Sequence, residues 1–354
     1  MSDATLRDAA RAETQARLKL DLVTGGHGFI GRHLVQELRR EGRNVRILDI
    51  ANPSETPYGE PLVPAVESLV GSVTDPVAVA RAVEGVERVF HIAGDPSLWR
   101  ADKAAFDQIN HQGTRLVLQA AAAAKVRSIV HTSSAAILPF GEVATLSPDD
   151  DRQTLTPSAM PGPYARSKLA AERAATAAAR DGVPVTIVSP SLPIGAEDWH
   201  LTPPTVMIRD LLERRTPAYL DFDVSFIDVR DLAQGLIRAA ERGKRGHRYV
   251  LGHPPLRFSA FLDRLGAVSG VPMPRRSLPP RVALAVAWVS ELLADHITRQ
   301  PPRATLEGVR MAGRPLSLPF RQSAEALDLA LRPLDESLQT IVDWLRTSDG
   351  GRTR

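Results

Sequence analysis

Cysteine is absent from this 354-residue chain. Its absence excludes disulfides, thiolate metal sites and a cysteine nucleophile. The net charge is only +3, and no block of like charge stands out in the sequence. We therefore expect no nucleic-acid partner. The nine histidines are scattered and lack the spacing of a metal-binding motif, so no metal site is expected either.

Long apolar runs are lacking as well. The longest candidate, Val282-Ala-Leu-Ala-Val-Ala-Trp-Val289, is far shorter than the ~20 residues that cross a bilayer. Residues 1–20 alternate charged side chains with alanine and have no apolar centre, which is unlike a signal peptide. The sequence therefore predicts a soluble, cytoplasmic protein without a transmembrane segment.

Glycine is concentrated at one informative place. The stretch Leu22-Val-Thr-Gly-Gly-His-Gly-Phe-Ile-Gly31 follows an apolar run and precedes a helix-like segment. Gly25 suits the tight turn that leaves a strand, Gly28 lets a pyrophosphate approach the backbone, and Gly31 lets the helix pack closely. The start of that helix offers free N–H groups to phosphates. This combination predicts a dinucleotide-binding turn.

Acidic residues follow the next two predicted strands. Asp49 ends the segment Val45–Asp49, where its carboxylate can accept the adenine-ribose hydroxyls and repel a 2′-phosphate. The residues after it, Ile50-Ala-Asn52, supply no arginine for such a phosphate, so NAD is favoured over NADP as the cofactor. Asp75 either reaches the adenine amino group or caps the helix that starts at Pro76, and the sequence leaves both open.

Short β-branched runs alternate with helix-like segments through the first half of the chain. The predicted strands are Lys19–Thr24, Asn44–Asp49, Ser68–Val70, Arg88–His91, Ser128–Thr132 and Val185–Ser189. The predicted helices are Arg32–Glu41, Pro76–Val83, Phe106–Lys125 and Tyr164–Asp181. This alternation predicts an α/β fold with a Rossmann-type, doubly wound parallel sheet.

After Leu251 the pattern becomes helical, with proline-rich joints between Ser259–Val268, Arg281–Ile297 and Glu336–Arg346. These segments predict a smaller, mostly helical C-terminal substrate cap. The proline-bearing stretches Leu146–Pro163 and Pro190–Pro204 are expected to be irregular. The predicted division is an N-terminal extension (1–17), an NAD(P)-binding Rossmann domain (18–190 plus 224–252), a cap (191–223 plus 253–346) and a tail (347–354).

Tyr164 and Lys168 form the sharpest catalytic candidate. Their spacing of four residues places both side chains on one face of a helix. A free phenol has a pKa of about 10 and is a poor base at neutral pH. A neighbouring ammonium would lower that pKa, so that the phenol could exchange a proton with an alcohol or a carbonyl during hydride transfer. The lysine could also hold the nicotinamide ribose.

Two further polar groups are expected near this pair. Thr132-Ser-Ser-Ala135 ends the fifth predicted strand, where a hydroxyl can orient the substrate oxygen. Asn110 lies early in the preceding helix, where it either holds a water or a backbone carbonyl beside the lysine or is a buried structural amide. The sequence does not separate these two roles for Asn110.

Taken together, these motifs make the chain resemble an extended short-chain dehydrogenase/reductase, of the NAD-dependent epimerase/dehydratase superfamily. The matching segments, in family order, are Thr24–Gly31, Asp49, Gly71–Asp75, His91–Gly94, Asn110 with Gly113-Thr114, Thr132–Ala135, Tyr164–Lys168 and Phe226–Ala233. The resemblance implies that the catalytic serine is Ser134, with Ser133 as the close alternative.

The resemblance also implies further site residues. The cofactor set it implies is Gly25, Gly28, Phe29, Ile30, Gly31, Asp49, Val73, Asp75, Ala93, Gly94, Ser133, Lys168 and Pro190. The implied substrate contacts are Ser134, Trp99, Ser191 and Leu192. Within the superfamily the chain looks most like the dihydroflavonol-reductase-like and hopanoid-associated epimerase-like branch, near the 3β-hydroxysteroid dehydrogenases.

Two departures from the sugar epimerases make the expected pocket more apolar. Ser191-Leu-Pro-Ile-Gly195 lacks the amide that usually holds a nucleotide sugar, and Ala136-Ile-Leu-Pro-Phe-Gly141 replaces a Val-Tyr-Gly turn. The cap adds Trp288, Val289, Leu292 and Leu293 at helical spacing. We expect that helix to be packed core; the alternatives are a lining for a lipophilic substrate or a surface that rests on a membrane.

The sequence therefore predicts an NAD(P)-dependent oxidoreductase that interconverts a secondary alcohol and a ketone on an apolar small molecule, such as a sterol, isoprenoid, flavonoid-like or lipid ketone. One alternative is a nucleotide-sugar epimerase or dehydratase with tightly bound NAD. Another is a cofactor-binding protein without catalysis. The resemblance also implies a homodimer formed through the helices Phe106–Lys125 and Tyr164–Asp181.

Overall fold

The computed structural model describes residues 20–52, 66–138, 156–313 and 317–347. The predicted N-terminal extension, the tail after Thr347 and most of the loop predicted from Leu146 lie outside the described residues. Within the residues that the structure describes, no helix is long and apolar enough to cross a membrane. The boundaries predicted for the Rossmann domain and the cap stay a prediction.

A seven-stranded parallel sheet forms the centre of the protein, in the order β3-β2-β1-β4-β5-β6-β10. Its strands are β1 (Leu20–Thr24), β2 (Asn44–Asp49), β3 (Glu67–Val70), β4 (Arg88–His91), β5 (Ser128–Thr132), β6 (Val185–Pro190) and β10 (Arg248–Leu251). The strand order reverses between β1 and β4, where a doubly wound sheet binds its ligand. The Rossmann-type fold predicted from the sequence is confirmed.

Helices cover both faces of this sheet. They are α1 (Phe29–Arg40), α2 (Pro76–Val83), α3 (Ala104–Phe106), α4 (Gly113–Ala123), α5 (Pro163–Arg180) and α7 (Val229–Arg242). Alternate residues of β1 enter opposite cores, because Val23 packs with α1 and α7 while Leu22 packs with α2, α4 and α5. The predicted helix Phe106–Lys125 is interrupted by a π-helical turn at Asp107–Gln112 that joins α3 to α4.

The C-terminal region is mostly helical, as predicted. Its helices are α6 (Pro203–Leu212), α8 (Phe258–Ser269), α9 (Pro280–Leu293), α10 (Leu306–Ala312), α11 (Phe320–Ala326) and α12 (Leu334–Thr347). Short strands accompany them: β7 (Leu192–Ile194), β8 (Asp223–Val224), β9 (Phe226–Asp228) and β11 (Leu256–Arg257).

Two expectations about this region are wrong. Pro190–Pro204 is not wholly irregular, because β7 within it pairs in parallel with β9. Helix α9 is not packed core, because its buried residues are only Ala283 and Ala287 while Trp288 is 56% exposed.

Candidate active site

The glycine turn between β1 and α1 is built so that each predicted glycine faces backbone. Gly25 has φ +72°, and a Cβ there would lie 2.9 Å from Cα and N of Ala93. A Cβ on Gly31 would lie 2.0 Å from the Gly25 carbonyl oxygen, and one on Gly28 3.3 Å from the same atom. Gly28 begins α1 without a side-chain cap. The turn therefore keeps the close approach and the uncapped helix start that a pyrophosphate needs.

Asp49 lies beside this turn at the end of β2. Its Oδ2 accepts a hydrogen bond from the His27 N–H (2.9 Å) and its Oδ1 accepts one from the Ala51 N–H (3.0 Å). Asp75 is exposed and accepts a hydrogen bond from the Val77 N–H at the start of α2. This contact is the helix cap that the sequence allows for Asp75, and its contact with the adenine amino group stays a prediction.

Adjacent serines after β5 have different partners. The Ser134 hydroxyl lies close enough to the Tyr164 phenol to lower its pKa, and its oxygen accepts the Ala136 N–H (3.2 Å). The Ser133 hydroxyl instead donates to the carboxylate of Glu172, which also pairs with Arg248. The structure therefore brings Ser134 to the tyrosine and ties Ser133 into a buried ion pair, which the sequence did not reveal.

Lys168 is buried in the same face of α5. Its Nζ donates to the Thr132 carbonyl oxygen at 2.7 Å. Burial lowers the pKa of Lys168 to about 8, against the opposing effect of Glu172 one turn further along the helix. The amine is thus fixed at the end of β5, and Lys168 follows Tyr164 by one turn of α5.

The pKa of Tyr164 shifts opposite to the predicted direction. Burial raises the pKa to about 12, the nearby Ser134 hydroxyl opposes this, and the carboxylates of Glu307 and Asp95 raise it further. The ammonium of Lys168 is engaged by the Thr132 carbonyl oxygen. The phenol is therefore protonated at neutral pH, as a proton donor must be.

Asn110 is a buried amide in the π-helical turn. Its Oδ1 accepts from the Asp95 N–H (2.7 Å), while its Nδ2 donates to the Asp95 carbonyl (3.2 Å) and to Ser167 Oγ (2.9 Å). Both amide protons are used, so the side chain fixes the loop after β4 against α5. π-Helical turns often mark functional sites, and this one holds Asn110 under Gly94, where a Cβ would lie 2.9 Å from Oδ1.

His91 links the strand ends to that turn through a directed chain of hydrogen bonds. Thr114 Oγ1 donates to the Asn110 carbonyl (2.6 Å), so His91 Nε2 must donate to Thr114 (2.9 Å). His91 Nδ1 then accepts from Thr24 Oγ1 (2.8 Å), which receives the N–H groups of Ile92 and Ala93. The chain requires a neutral imidazole. Burial and the nearby Lys168 charge lower the pKa of His91 to about 3.

Because His91 is buried in its neutral form, we expect the protein to become less stable at acidic pH. Between about pH 6.5 and pH 3 the unfolded chain binds a proton at His91 that the native protein does not, so the free energy of unfolding falls as the pH falls. In a His91→Gln variant the slope against pH should be smaller by about 1.4 kcal/mol per pH unit. Urea unfolding at several pH values measures the slope. His296→Gln, on the exposed surface, is the control, and an equal slope in wild type and His91→Gln would contradict the assignment.

The remaining predicted residues line the strand ends or link the loops around them. Trp99 is buried, and its Nε1 donates to Asp295 Oδ1 at 2.7 Å, which connects the loop after β4 to the end of α9. Ser191 and Leu192 are partly buried around the start of β7, and Leu192 packs against the cap core. The cofactor candidates in β6, in α1 and after β3 are all at least partly buried: Pro190, Phe29, Ile30 and Val73.

Sequence reasoning missed Glu307. This buried carboxylate of α10 accepts hydrogen bonds from the first N–H groups of α5, Tyr164 (3.1 Å to Oε2) and Ala165 (2.7 Å to Oε1). Gly162 makes room for it, because a Cβ there would lie 2.3 Å from Oε2. No pattern in the sequence connects a glutamate with a helix 143 residues earlier.

This fold and this strand-end site define a dinucleotide-binding protein of the Rossmann class. The model of the NAD dependent epimerase/dehydratase family matches residues 22–252. A putative dihydroflavonol 4-reductase of Synechocystis sp. is 33% identical over 328 residues, covering 92% of this chain and 94% of that protein.

Two further proteins are similar over nearly the whole chain. Sterol demethylase protein B of Methylococcus capsulatus is 30% identical over 331 residues, covering 92% and 98% of the two chains. The crystal structure of gox2253 has a TM-score of 0.79 and 30% identity, covering 94% and 99%. The chain belongs to the NAD dependent epimerase/dehydratase family. It is an oxidoreductase of the extended short-chain dehydrogenase/reductase type, as its motifs predicted.

Proposed function

We propose that the protein transfers hydride between NAD(H) and a secondary alcohol or ketone of an apolar small molecule. The nearness of the Ser134 hydroxyl to the protonated phenol of Tyr164, one helical turn from Lys168, carries this proposal. Ser134 would orient the substrate oxygen, and Tyr164 would donate its proton to that oxygen during reduction. Lys168 would hold the nicotinamide ribose and stabilise the phenolate that remains. The cofactor supplies or accepts the hydride.

The glycine turn fits the cofactor, because a Cβ at Gly31 would close the space against the Gly25 carbonyl. The N–H groups at the start of α1 would bind the pyrophosphate, and Asp49 would accept the adenine-ribose hydroxyls. The carboxylate of Asp49 and the absence of a cation in Ile50-Ala-Asn52 favour NAD over NADP. NADH should therefore give the higher kcat/KM of the two cofactors.

Apolar surroundings favour a lipophilic substrate. The residues after Ser134 and around the start of α5 form one apolar cluster that includes Ile137, Leu138, Met160 and Phe320. The turn Ser191-Leu-Pro-Ile-Gly195 lacks the amide that sugar epimerases of the family usually carry there. The names of two relatives, a putative dihydroflavonol reductase and a sterol demethylase protein, agree with hydroxyl or keto groups on polycyclic, weakly polar molecules.

A panel assay tests this function. Purified protein is mixed with NADH or NADPH and, separately, a 3-ketosteroid, a dihydroflavonol, a long-chain ketone and UDP-glucose. We expect stoichiometric loss of NADH absorbance with an apolar ketone. Conversion of UDP-glucose without net NADH change, and no turnover of any apolar ketone, would instead establish the epimerase reaction for which the family is named.

The homodimer stays a prediction. Between α3 and α5, on the two helical segments expected to form it, lies a mainly apolar surface groove lined by Phe106, Pro163 and the stems of Lys103 and Arg166. Sedimentation equilibrium should give a mass near twice the monomer's. A single monomeric species would contradict the proposed dimer.

A further inference from the structure

Helix α9 presents apolar side chains to solvent. It is held to the protein by alanines, with Ala283, Ala287 and the following Ala294 buried. Of the eleven exposed large hydrophobic side chains among the described residues, eight belong to α9 and the π-helical turn after it: Val282, Leu284, Val286, Trp288, Val289, Leu292, Leu293 and Ile297. A continuous apolar strip of this kind marks an interaction surface.

The charges around this strip are of one sign. Exposed arginines precede, begin and follow the helix, at Arg275, Arg276, Arg281, Arg299 and Arg303. The two carboxylates of the segment already have partners within the protein. Glu291 accepts the Leu306 N–H (2.8 Å), and Asp295 accepts from Trp99 and Lys103. The strip therefore has exposed arginines at its ends, while its two carboxylates are paired with other groups.

We propose that α9 docks the protein on the surface of an anionic lipid bilayer. Its fourteen residues extend about 21 Å, which suits a helix lying in the plane of the interface with its apolar side chains among the lipid tails. Arginines at both ends would contact the anionic headgroups, and each adds to the attraction. Trp288 has the amphipathic ring that is enriched at such interfaces.

A lipid surface explains this strip better than a second copy of the chain. In a two-fold symmetric contact the same patch meets itself, so the arginines at one end of α9 would face arginines of the other copy. Like charges across an interface are unfavourable. Residues 1–20 of the chain itself alternate charge with alanine and offer no apolar run to cover the strip.

The docking surface adjoins the candidate active site. Helix α9 packs against α10, and Glu307 of α10 binds the N–H of Tyr164. A lipophilic substrate dissolved in the bilayer would therefore meet the protein on the side of its cap. That consequence rests on the proposed function, whereas the docking itself does not require any particular reaction.

Vesicle flotation tests the docking. The probes are vesicles of phosphatidylcholine alone and of phosphatidylcholine mixed with phosphatidylglycerol. We expect the full chain to float with the anionic vesicles, to float less as salt is added, and to show a blue shift of Trp288 emission. A Trp288→Glu/Leu292→Glu variant should bind at least about tenfold more weakly, because two charges would enter the interface. Val77→Glu, at an exposed valine of α2, is the matched control.

The possible results distinguish a lipid surface from a second copy of the chain as the partner of the strip. Loss of flotation in the double variant alone, with turnover of a water-soluble substrate retained, supports the proposal. Failure of the wild-type protein to float with anionic vesicles overturns it, and so does self-association through the strip that Trp288→Glu/Leu292→Glu abolishes. The flotation result does not depend on turnover, so failure of the proposed reaction would be seen separately in the panel assay.

A second inference comes from the contact between α10 and α5. We infer that Glu307 is a positioning residue for Tyr164, an assignment that rests on the proposed function. The N-cap residue of α5, Gly162, has no side chain to cap the helix, and Glu307 accepts the N–H groups of Tyr164 and Ala165 in its place. An anionic cap stabilises a helix start, so the carboxylate fixes the backbone from which the phenol projects.

Glu307→Gln tests this role, with Asp221→Asn as the matched control, since Asp221 accepts the Ser259 N–H at the start of the remote helix α8. We expect Glu307→Gln to lower kcat about tenfold with little change in the Kd for NADH. The groups that face this pair are Arg166, Glu291, Asp95 and Ser134. Because the Glu307 charge raises the pKa of Tyr164, the pH profile of oxidation should also move to lower pH.

Equal kcat and an unmoved pH profile in Glu307→Gln would overturn the positioning role while leaving the proposed reaction intact. Loss of thermal stability with an unchanged profile would also overturn it, because a purely structural cap has that effect. Absence of turnover in the wild-type protein would count against the proposed function instead.

Discussion

A Tyr164→Phe variant should lose about a hundred- to ten-thousand-fold in kcat for carbonyl reduction. The change removes the proton donor and keeps the ring, so the packing around the start of α5 is retained. Ser134 could still orient the substrate oxygen, but no phenol would be present to donate the proton. The Kd for NADH should stay within about twofold of the wild-type value, because the phenol is expected to contact the reacting carbon and oxygen rather than the adenine half of the cofactor.

Steady-state NADH oxidation gives kcat, and calorimetric titration gives the Kd. Tyr249→Phe is the matched control. Its hydroxyl accepts the Lys244 N–H at 3.0 Å in the turn before β10, so its loss should cost some stability and no turnover. If Tyr164→Phe turned over at the wild-type rate, another group would have to supply the proton, and the mechanism would be wrong.

A Gly31→Ala variant should lose cofactor binding. The added Cβ would lie 2.0 Å from the Gly25 carbonyl oxygen and 2.8 Å from the Gly26 Cα, so backbone must move to admit it. Overpacking of this kind costs about 3 kcal/mol or more, and a distortion confined to the turn would raise the Kd for NADH by about a hundredfold. Calorimetric titration measures the loss of NADH affinity and thermal unfolding measures the loss of stability, so together they show which of the two the substitution affects.

The matched control for this change is Gly266→Ala in α8. It makes the same substitution inside a helix, where the new Cβ would be 3.4 Å from Met273 Cγ, an ordinary contact. Alanine is a better helix former than glycine, so this variant should be equally or slightly more stable. If the Gly31→Ala protein had normal stability and normal NADH affinity, the turn would have to accommodate a Cβ without cost, and the predicted clash would be wrong.

The sheet and the glycine turn could be predicted because the interactions that determine them involve residues close together in the sequence. Buried parallel strands are apolar runs, a strand-to-helix turn with close backbone contacts needs glycine, and a spacing of four residues puts Tyr164 and Lys168 on one helix face. These patterns involve residues near each other in sequence. They are the elements for which the structure and the sequence agree most closely.

The choice between Ser133 and Ser134 depended on a distant part of the chain. Both residues directly follow β5, and either hydroxyl could have faced the phenol. Glu172 of α5 accepts the Ser133 hydroxyl, and Arg248 of β10 pairs with the same carboxylate. Arg248 lies more than a hundred positions along the chain, so no local pattern could have assigned the pair.

Helix α9 was assigned wrongly for a related reason. A helix that is apolar on all sides is usually buried, and the sequence of α9 has no polar face that would indicate exposure. Only its tertiary contacts show that small alanines face the protein while the large side chains point outward. The rise in the Tyr164 pKa was missed in the same way, because it comes first from burial and then from carboxylates in the loop after β4 and in α10.

The bond between Glu307 and α5 also bears on the order in which the protein can mature. A nascent chain that has emerged only as far as Gly252 already contains every strand of the large sheet. It still lacks the carboxylate that closes the first turn of the helix bearing Tyr164 and Lys168. Synthesis must therefore proceed past Glu307 before this helix start can be capped, so the candidate site is completed after the sheet that carries it.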